Sequence, residues 1–111
     1  MLEEVIKNAK INRFISPFEE GKAIFLEGDD TQDLFILVSG QLNVFKGNIK
    51  IAEITEKGSL FGEMSFLLKA KRSATIKAGE NVKAIRIPKD EITAFLHDFP
   101  EVAGEIYAKS I

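Results

Sequence analysis

The 111-residue sequence contains no cysteine, no tryptophan and a single histidine. Without cysteine, disulfide bonds, thiolate metal sites and cysteine nucleophiles are excluded. His97 alone does not supply the several imidazole ligands that a metalloenzyme built on a β-roll needs. A glycine-framed serine of the hydrolase type is also missing. We therefore expect a protein that is not an enzyme and holds neither a metal nor a cofactor.

Blocks of like charge and long apolar runs are absent as well. The 15 basic and 17 acidic residues leave a net charge of −2, which argues against a basic surface for nucleic acid. No apolar run approaches the roughly 20 residues of a membrane span, and the N-terminal sequence MLEEVIKNAK is too charged for a signal peptide. We expect a cytoplasmic protein without nucleic-acid or membrane partners, folded as one domain over residues 1–111.

Short apolar runs separated by glycine predict an antiparallel β-rich fold, a sandwich or a roll, over residues 18–87. Ser39-Gly40 and Gly47-Asn48 are predicted hairpin turns, because both pairs contain residues that tolerate positive φ. A further hairpin is predicted for residues 74–87. The runs that carry the strand prediction are residues 23–26, 34–38, 42–45, 49–54, 74–78 and 82–87.

Helices are predicted at both ends of the chain. Residues 1–11 carry an amphipathic helical pattern, which Ser16-Pro17 interrupts. Residues 88–111 form two helices that Pro100 separates. The apolar face of the second helix packs either on the roll or on a second subunit, and we expect a homodimer through this helix. The apolar face of this second helix contains Val102, Ile106 and Tyr107.

The stretch FGEMSFLLKAKRSATIKA, residues 61–78, combines groups that suit a ribose phosphate. A short helix after Gly62 presents unpaired N–H groups that favour an anion. Arg72 adds a planar fork for phosphate oxygens, and Ser73 adds a hydroxyl. Glu63 has the same charge as a phosphate, so its useful partner is a sugar hydroxyl. On spacing alone, a structural Glu63–Arg72 ion pair or plain solvation is the more common outcome.

This stretch resembles the phosphate-binding cassette of the cyclic nucleotide-binding domain family, which includes catabolite-activator-type regulators, kinase regulatory subunits and gated channels. FGEMS at residues 61–65 and RSATIKA at residues 72–78 are similar to the family patterns F-G-E-[LI]-[AGS] and R-x-A-[TS]-[VI]-x-A. GKAIFLEGD at residues 21–29 is similar to a glycine-bounded turn of the same family. The ordered set extends over about residues 10–110.

The resemblance, together with the number of apolar runs, implies a mainly β fold, a jelly-roll-like double-stranded β-roll of about eight strands with short N- and C-terminal helices. It also implies a sensor or regulatory module that binds a cyclic mononucleotide, with cAMP expected ahead of cGMP. Arg72 would pair with the cyclic phosphate and Glu63 would accept from the ribose 2′-hydroxyl. The other positions carried over are Gly62, Met64, Ser65, Ser73 and Ala74 around the phosphate, in the cassette of residues 61–75, and Val44 and Ala52 around the base.

Three departures from the family pattern keep an alternative open. Lys71 stands where the family often has proline, and residues 68–70 stand where it often has glycine. The chain stops at Ile111, early in the helix that caps the base in the family, which leaves Ile106 or Tyr107 as a partial lid. The alternative is a module that keeps the fold, has lost the ligand and serves protein interaction or oligomerisation.

Overall fold

The computed structural model describes residues 2–109, which form two four-stranded antiparallel sheets and short helices. The strand order is β1-β8-β3-β6 in the first sheet and β2-β7-β4-β5 in the second. The strands are β1 (Ile15–Phe18), β2 (Ala23–Phe25), β3 (Leu34–Ser39), β4 (Leu42–Lys46), β5 (Ile49–Ile54), β6 (Leu60–Phe61), β7 (Thr75–Ala78) and β8 (Val82–Ile87). The α-helices are α1 (Glu3–Ile6), α2 (Glu63–Leu68), α3 (Ile92–Asp98) and α4 (Pro100–Lys109), and the 3-10 helices are Ala9–Phe14 and Lys89–Glu91. The predicted mainly β roll is confirmed.

The first sheet lies between two apolar cores, which explains its nearly continuous apolar strands. Successive side chains of a strand point to opposite faces. On β3, Leu34 and Ile36 pack against the terminal helices, whereas Phe35 and Leu37 face the second sheet inside the roll. Because both faces of β3 are covered, its sequence shows an apolar run in place of alternation.

Only one of the predicted hairpins forms. Gly47-Asn48 joins β4 to β5, which pair with each other. The predicted hairpin at Ser39-Gly40 is wrong, because β3 and β4 belong to different sheets, and so is the predicted hairpin over residues 74–87, because β7 and β8 do too. The two connections pack on each other: the Gly79 N–H donates to the carbonyl oxygen of Gln41 at 2.7 Å.

The N-terminal prediction was partly wrong. The predicted helix over residues 1–11 is the four-residue α1 followed by a 3-10 helix, and Asn8 caps the second element by accepting from the Lys10 N–H at 2.9 Å. The helical segment ends at Phe14, ahead of Ser16-Pro17, and both of these residues lie inside β1. Because β1 is an edge strand, the missing proline N–H removes no essential ladder bond. The roll therefore starts at Ile15.

The C-terminal helices are separated at Pro100 as predicted, and the second of them packs on the roll. Pro100 is the first residue of α4, and α3 ends just before it. Val102 and Ile106 are buried in the core that also contains Leu2 and Val5, so the apolar face covers the roll of its own chain. The homodimer prediction assumed that this apolar face is exposed, but at Val102 and Ile106 it is covered by the same chain. Ile111 lies outside the described residues. Within residues 2–109, no helix has the length and apolar content to cross a membrane.

Candidate functional site

A cleft of about 280 Å³ lies between α2 and the second sheet, and we call it the cassette cleft. Its volume is close to the lower end of the roughly 300–1,000 Å³ typical of small-molecule sites. The structure brings eight of the nine predicted site residues to its wall: Val44, Gly62, Glu63, Met64, Ser65, Arg72, Ser73 and Ala74.

Ala52 is the predicted residue that does not line the cleft. It is the register partner of Val44 and is exposed on β5. Sequence reasoning missed five apolar lining residues, although alternation along β5 and β7 could have found Ile54 and Ile76, which lie two positions after Ala52 and Ala74. The five are Phe25, Ile54, Leu60, Phe61 and Ile76.

Gly62 sets the start of α2 and leaves room for the arginine. Its φ of +78° lies in the left-handed region, which glycine adopts at little cost. A Cβ atom here would lie 2.9 Å from Nη1 of Arg72 and 3.2 Å from the carbonyl oxygen of Asp33. Any side chain at position 62 would therefore press on the guanidinium, so the glycine is required by close approach as well as by conformation.

Arg72 is buried, with 3% of its surface exposed, and its guanidinium is held by the chain itself. Nε donates to Oγ1 of Thr31 at 3.1 Å. Nη1 donates to the carbonyl oxygen of Gly62 and Nη2 to that of Asp33, both at 2.8 Å. The guanidinium carbon Cζ lies 4.1 Å from the ring centroid of Phe25, a cation–π contact. The fork is thus fixed in orientation before any ligand arrives.

The electrostatic state of Arg72 reflects its burial. Burial lowers the pKa of Arg72 from its ordinary value, and nearby negative charges oppose this effect. Burial has the larger effect on this pKa. An anion added to the cleft would oppose the effect of burial, because it favours the charged guanidinium. The opposing charges belong to Asp33, Asp29 and Glu63. Glu63 is itself buried on the cleft wall, so the cleft combines a buried cation with a buried carboxylate.

Main-chain bonds hold the segment between α2 and β7 that carries Arg72. The Gly28 N–H donates to the Arg72 carbonyl oxygen, and the Arg72 N–H donates to the Asp29 carbonyl oxygen, both at 2.8 Å. These bonds attach the segment to the turn after β2, whose sequence belongs to the glycine-bounded pattern of residues 21–29. The turn therefore positions Arg72 through hydrogen bonds to the main chain of Arg72.

Asp33 connects the cassette to the start of the C-terminal helices. Its carbonyl oxygen accepts from Arg72, while its carboxylate accepts from Nε of Arg86 at 2.9 Å and from the Lys89 N–H at 3.0 Å. Arg86 Nη2 also lies 2.7 Å from Oδ2 of Asp33. Asp33 thus contacts Arg72, Arg86 on β8 and the 3-10 helix that precedes α3.

Asp33→Ala is expected to lower the free energy of unfolding by about 2 kcal/mol, because it removes the acceptor of the Lys89 N–H and of Arg86. The matched control is Asp30→Ala, which removes an exposed pair with Lys71 and is expected to cost less than about 0.5 kcal/mol. Urea unfolding of the two variants checks the difference. Equal losses would show that the Asp33 carboxylate is not a structural connection.

Comparison with known proteins agrees with this geometry. The family model of the cyclic nucleotide-binding domain matches residues 15–99, and the chain belongs to this family. It is 32% identical over 95 residues to a cyclic AMP receptor protein of Thermus thermophilus, covering 82% of this chain and 44% of that protein. It is 36% identical over 103 residues to a cGMP-dependent protein kinase of Toxoplasma gondii, covering 92% of this chain and 10% of the kinase.

The fold comparison gives the same family. The crystal structure of the Thermus thermophilus catabolite activator protein superposes with a TM-score of 0.76 at 27% identity, covering 96% of this chain and 52% of that one. The chain spans less than half the length of the two sequence relatives named above. The shared part is therefore the cyclic nucleotide-binding domain.

Proposed function

We propose that this chain is a sensor or regulatory module that binds a cyclic mononucleotide reversibly in the cassette cleft. Arg72 pairs with the cyclic phosphate and Glu63 accepts from the ribose 2′-hydroxyl. The observation that carries the proposal is the placement of a buried arginine and a buried glutamate on the wall of one cleft. A ribose phosphate carries an anion that suits the planar fork of a guanidinium and a hydroxyl that can donate to a carboxylate.

The remaining lining residues support the same ligand. Ser73 and Ala74 follow Arg72 on the wall, and we assign their hydroxyl and amide groups to the phosphate. Val44, Ile54 and Leu60 supply an apolar surface, which suits the flat face of a purine. Ala52, which is exposed beside Val44, stays a predicted contact of the outer edge of the base.

The role of Glu63 is tested by removing its proposed partner atom. The folded protein is titrated calorimetrically with cAMP and with 2′-deoxy-cAMP, beside the Glu63→Gln variant. We expect Glu63→Gln to weaken cAMP binding at least tenfold, because a hydrogen bond to a charged acceptor contributes about 1.5–3 kcal/mol. The 2′-deoxy ligand should bind both proteins alike. Equal weakening of both ligands by the substitution would contradict the assignment.

For the base we propose adenine ahead of guanine, with guanine as the tested alternative. One relative is named for cyclic AMP and the other for cyclic GMP, so the names support both. Parallel titrations with cAMP and cGMP decide, since a tenfold preference corresponds to about 1.4 kcal/mol.

We also propose that the ligand acts on the C-terminal helices. The route runs from Arg72 through Asp33 to the main chain of Lys89, just before α3. A phosphate that accepts hydrogen bonds from the Arg72 guanidinium changes the bond between Arg72 and the carbonyl oxygen of Asp33. This change shifts an existing equilibrium of helix positions. Identical hydrogen exchange in α3 and α4 with and without nucleotide would contradict this step.

A second candidate function is a protein-interaction or oligomerisation module without a ligand. The observation that favours it is the set of three bonds that Arg72 already makes within the chain, which gives the arginine a structural role. A guanidinium has five N–H groups, so these three bonds alone do not exhaust its donors. A homodimer measured by light scattering, together with no response to either nucleotide, would support this candidate over the first.

A further inference from the structure

A second cation lies next to the cassette, at the end of β4. Lys46 follows Val44 by two positions, so it continues the same face of the strand. Val44 pairs with Ile76 and Phe45 pairs with Thr75. The same antiparallel register places Lys46 next to Ala74, the residue just before β7. Its Nζ donates to the carbonyl oxygen of Ser73 at 2.7 Å. The residue after the cassette arginine is therefore held by a lysine from another strand.

Glu27 holds this lysine in place from the turn after β2. One carboxylate oxygen lies 3.3 Å from Nζ of Lys46, and the other accepts from the Gly47 N–H at 3.0 Å. The Glu27 N–H donates to Oγ1 of Thr75 at 2.9 Å. The hydrogen bond from the Gly47 N–H lowers the pKa of Glu27, and the nearby Lys46 ammonium lowers it further. Glu27 thus contacts the β4–β5 hairpin and also the strand that follows the cassette.

We propose that Lys46, supported by Glu27, is a positioning residue of the phosphate site. This inference rests on the proposed function. The carbonyl of Ser73 and the N–H of Ala74 belong to one trans peptide group, in which they point in opposite directions. Holding the oxygen therefore holds the direction of the Ala74 N–H, which we assign to the phosphate. The ammonium also adds positive charge beside a segment that receives an anion.

The exposure of the pair separates positioning from a merely structural role. The side chains of Lys46 and Glu27 are 53% and 39% exposed, and exposed ion pairs contribute little to folding. Loss of Lys46 should therefore leave the unfolding midpoint almost unchanged while it weakens nucleotide binding. A purely structural residue would show the reverse pattern.

The test is calorimetric titration of the wild-type chain, Lys46→Met and Lys46→Arg with cAMP and cGMP, together with urea unfolding. Lys50→Met is the matched control, because Lys50 is a partly exposed lysine of the same hairpin that pairs with Glu53. We expect Lys46→Met to weaken binding roughly three- to tenfold and to reduce its dependence on salt. Lys46→Arg should restore binding to within about twofold of wild type, since Arg also donates to a carbonyl.

The outcomes distinguish this inference from the function on which it rests. If wild type binds a nucleotide and Lys46→Met binds it as well as Lys50→Met does, the positioning role is overturned and the proposed function stands. If Lys46→Met lowers the unfolding midpoint in proportion to affinity, the residue is structural and the inference is also overturned. A folded wild-type chain that binds neither nucleotide overturns both.

Discussion

Replacing Arg72 by alanine is expected to weaken cyclic nucleotide binding by roughly 100-fold or more. A bidentate, charge-assisted contact in a protected site contributes about 1.5–3 kcal/mol, and 100-fold corresponds to about 2.7 kcal/mol. Arg72 is the buried cation of the cleft, and its fork is already oriented by bonds to Gly62 and Asp33. Calorimetric titration with cAMP and cGMP measures the loss.

The control for this prediction is the neighbouring cation. Lys71→Ala also removes one positive charge from the cassette, but Lys71 is exposed and pairs with Asp30, so less than about a threefold loss is expected. Arg72→Ala also removes one hydrogen-bond donor from each of two carbonyl oxygens, and circular dichroism must show that the variant is folded during titration. Arg72→Lys keeps the charge without the fork and should bind between the two. Wild-type affinity in folded Arg72→Ala would contradict the phosphate assignment.

Gly40→Ala is expected to lower the free energy of unfolding by about 3 kcal/mol, the largest stability effect that we predict. Gly40 has a φ of +84°, and a Cβ atom there would lie 2.6 Å from the carbonyl oxygen of Glu80 and 2.7 Å from that of Asn81. Left-handed backbone costs a non-glycine residue about 1–2 kcal/mol, and overpacking against main chain adds about 1–3 kcal/mol. Urea unfolding measures the change.

Gly21→Ala is the matched control for this effect. Gly21 has a nearly identical φ of +83°, but a Cβ atom there would meet nothing within 4 Å. It should therefore cost only the conformational part, about 1 kcal/mol. The difference between the variants isolates the close approach of the two connections between the sheets. Equal losses would mean that residues 79–81 do not pack on Gly40 in solution.

The connections between sheets show what sequence patterns could and could not predict. The apolar runs located β3, β4, β7 and β8 to within a residue or two, because alternation and glycine punctuation are local signals. The partner of each strand is not a local property. Gly40 looked like a hairpin glycine because hairpins also need positive φ, whereas here the glycine lets the chain cross between sheets beside Glu80.

The candidate site divides in the same way. The chemistry of a ribose phosphate and the family resemblance together pointed to Arg72 and Glu63, and both lie on the cleft wall. The groups that orient Arg72 were not predictable, because Thr31 and Asp33 are 41 and 39 residues away in sequence and carry no motif of their own. Ala52 was assigned by resemblance alone, and it stands beside Val44 without lining the cleft.

Titration of the wild-type chain with cAMP and cGMP tests the central claim most directly. Binding of one of them with a Kd in the micromolar range, about −8 kcal/mol, and a stoichiometry of one per chain is the predicted result. A heat of binding that disappears in Arg72→Ala would assign it to the cassette cleft. No heat with either nucleotide at millimolar concentration, from a chain that unfolds cooperatively in urea, would contradict the claim.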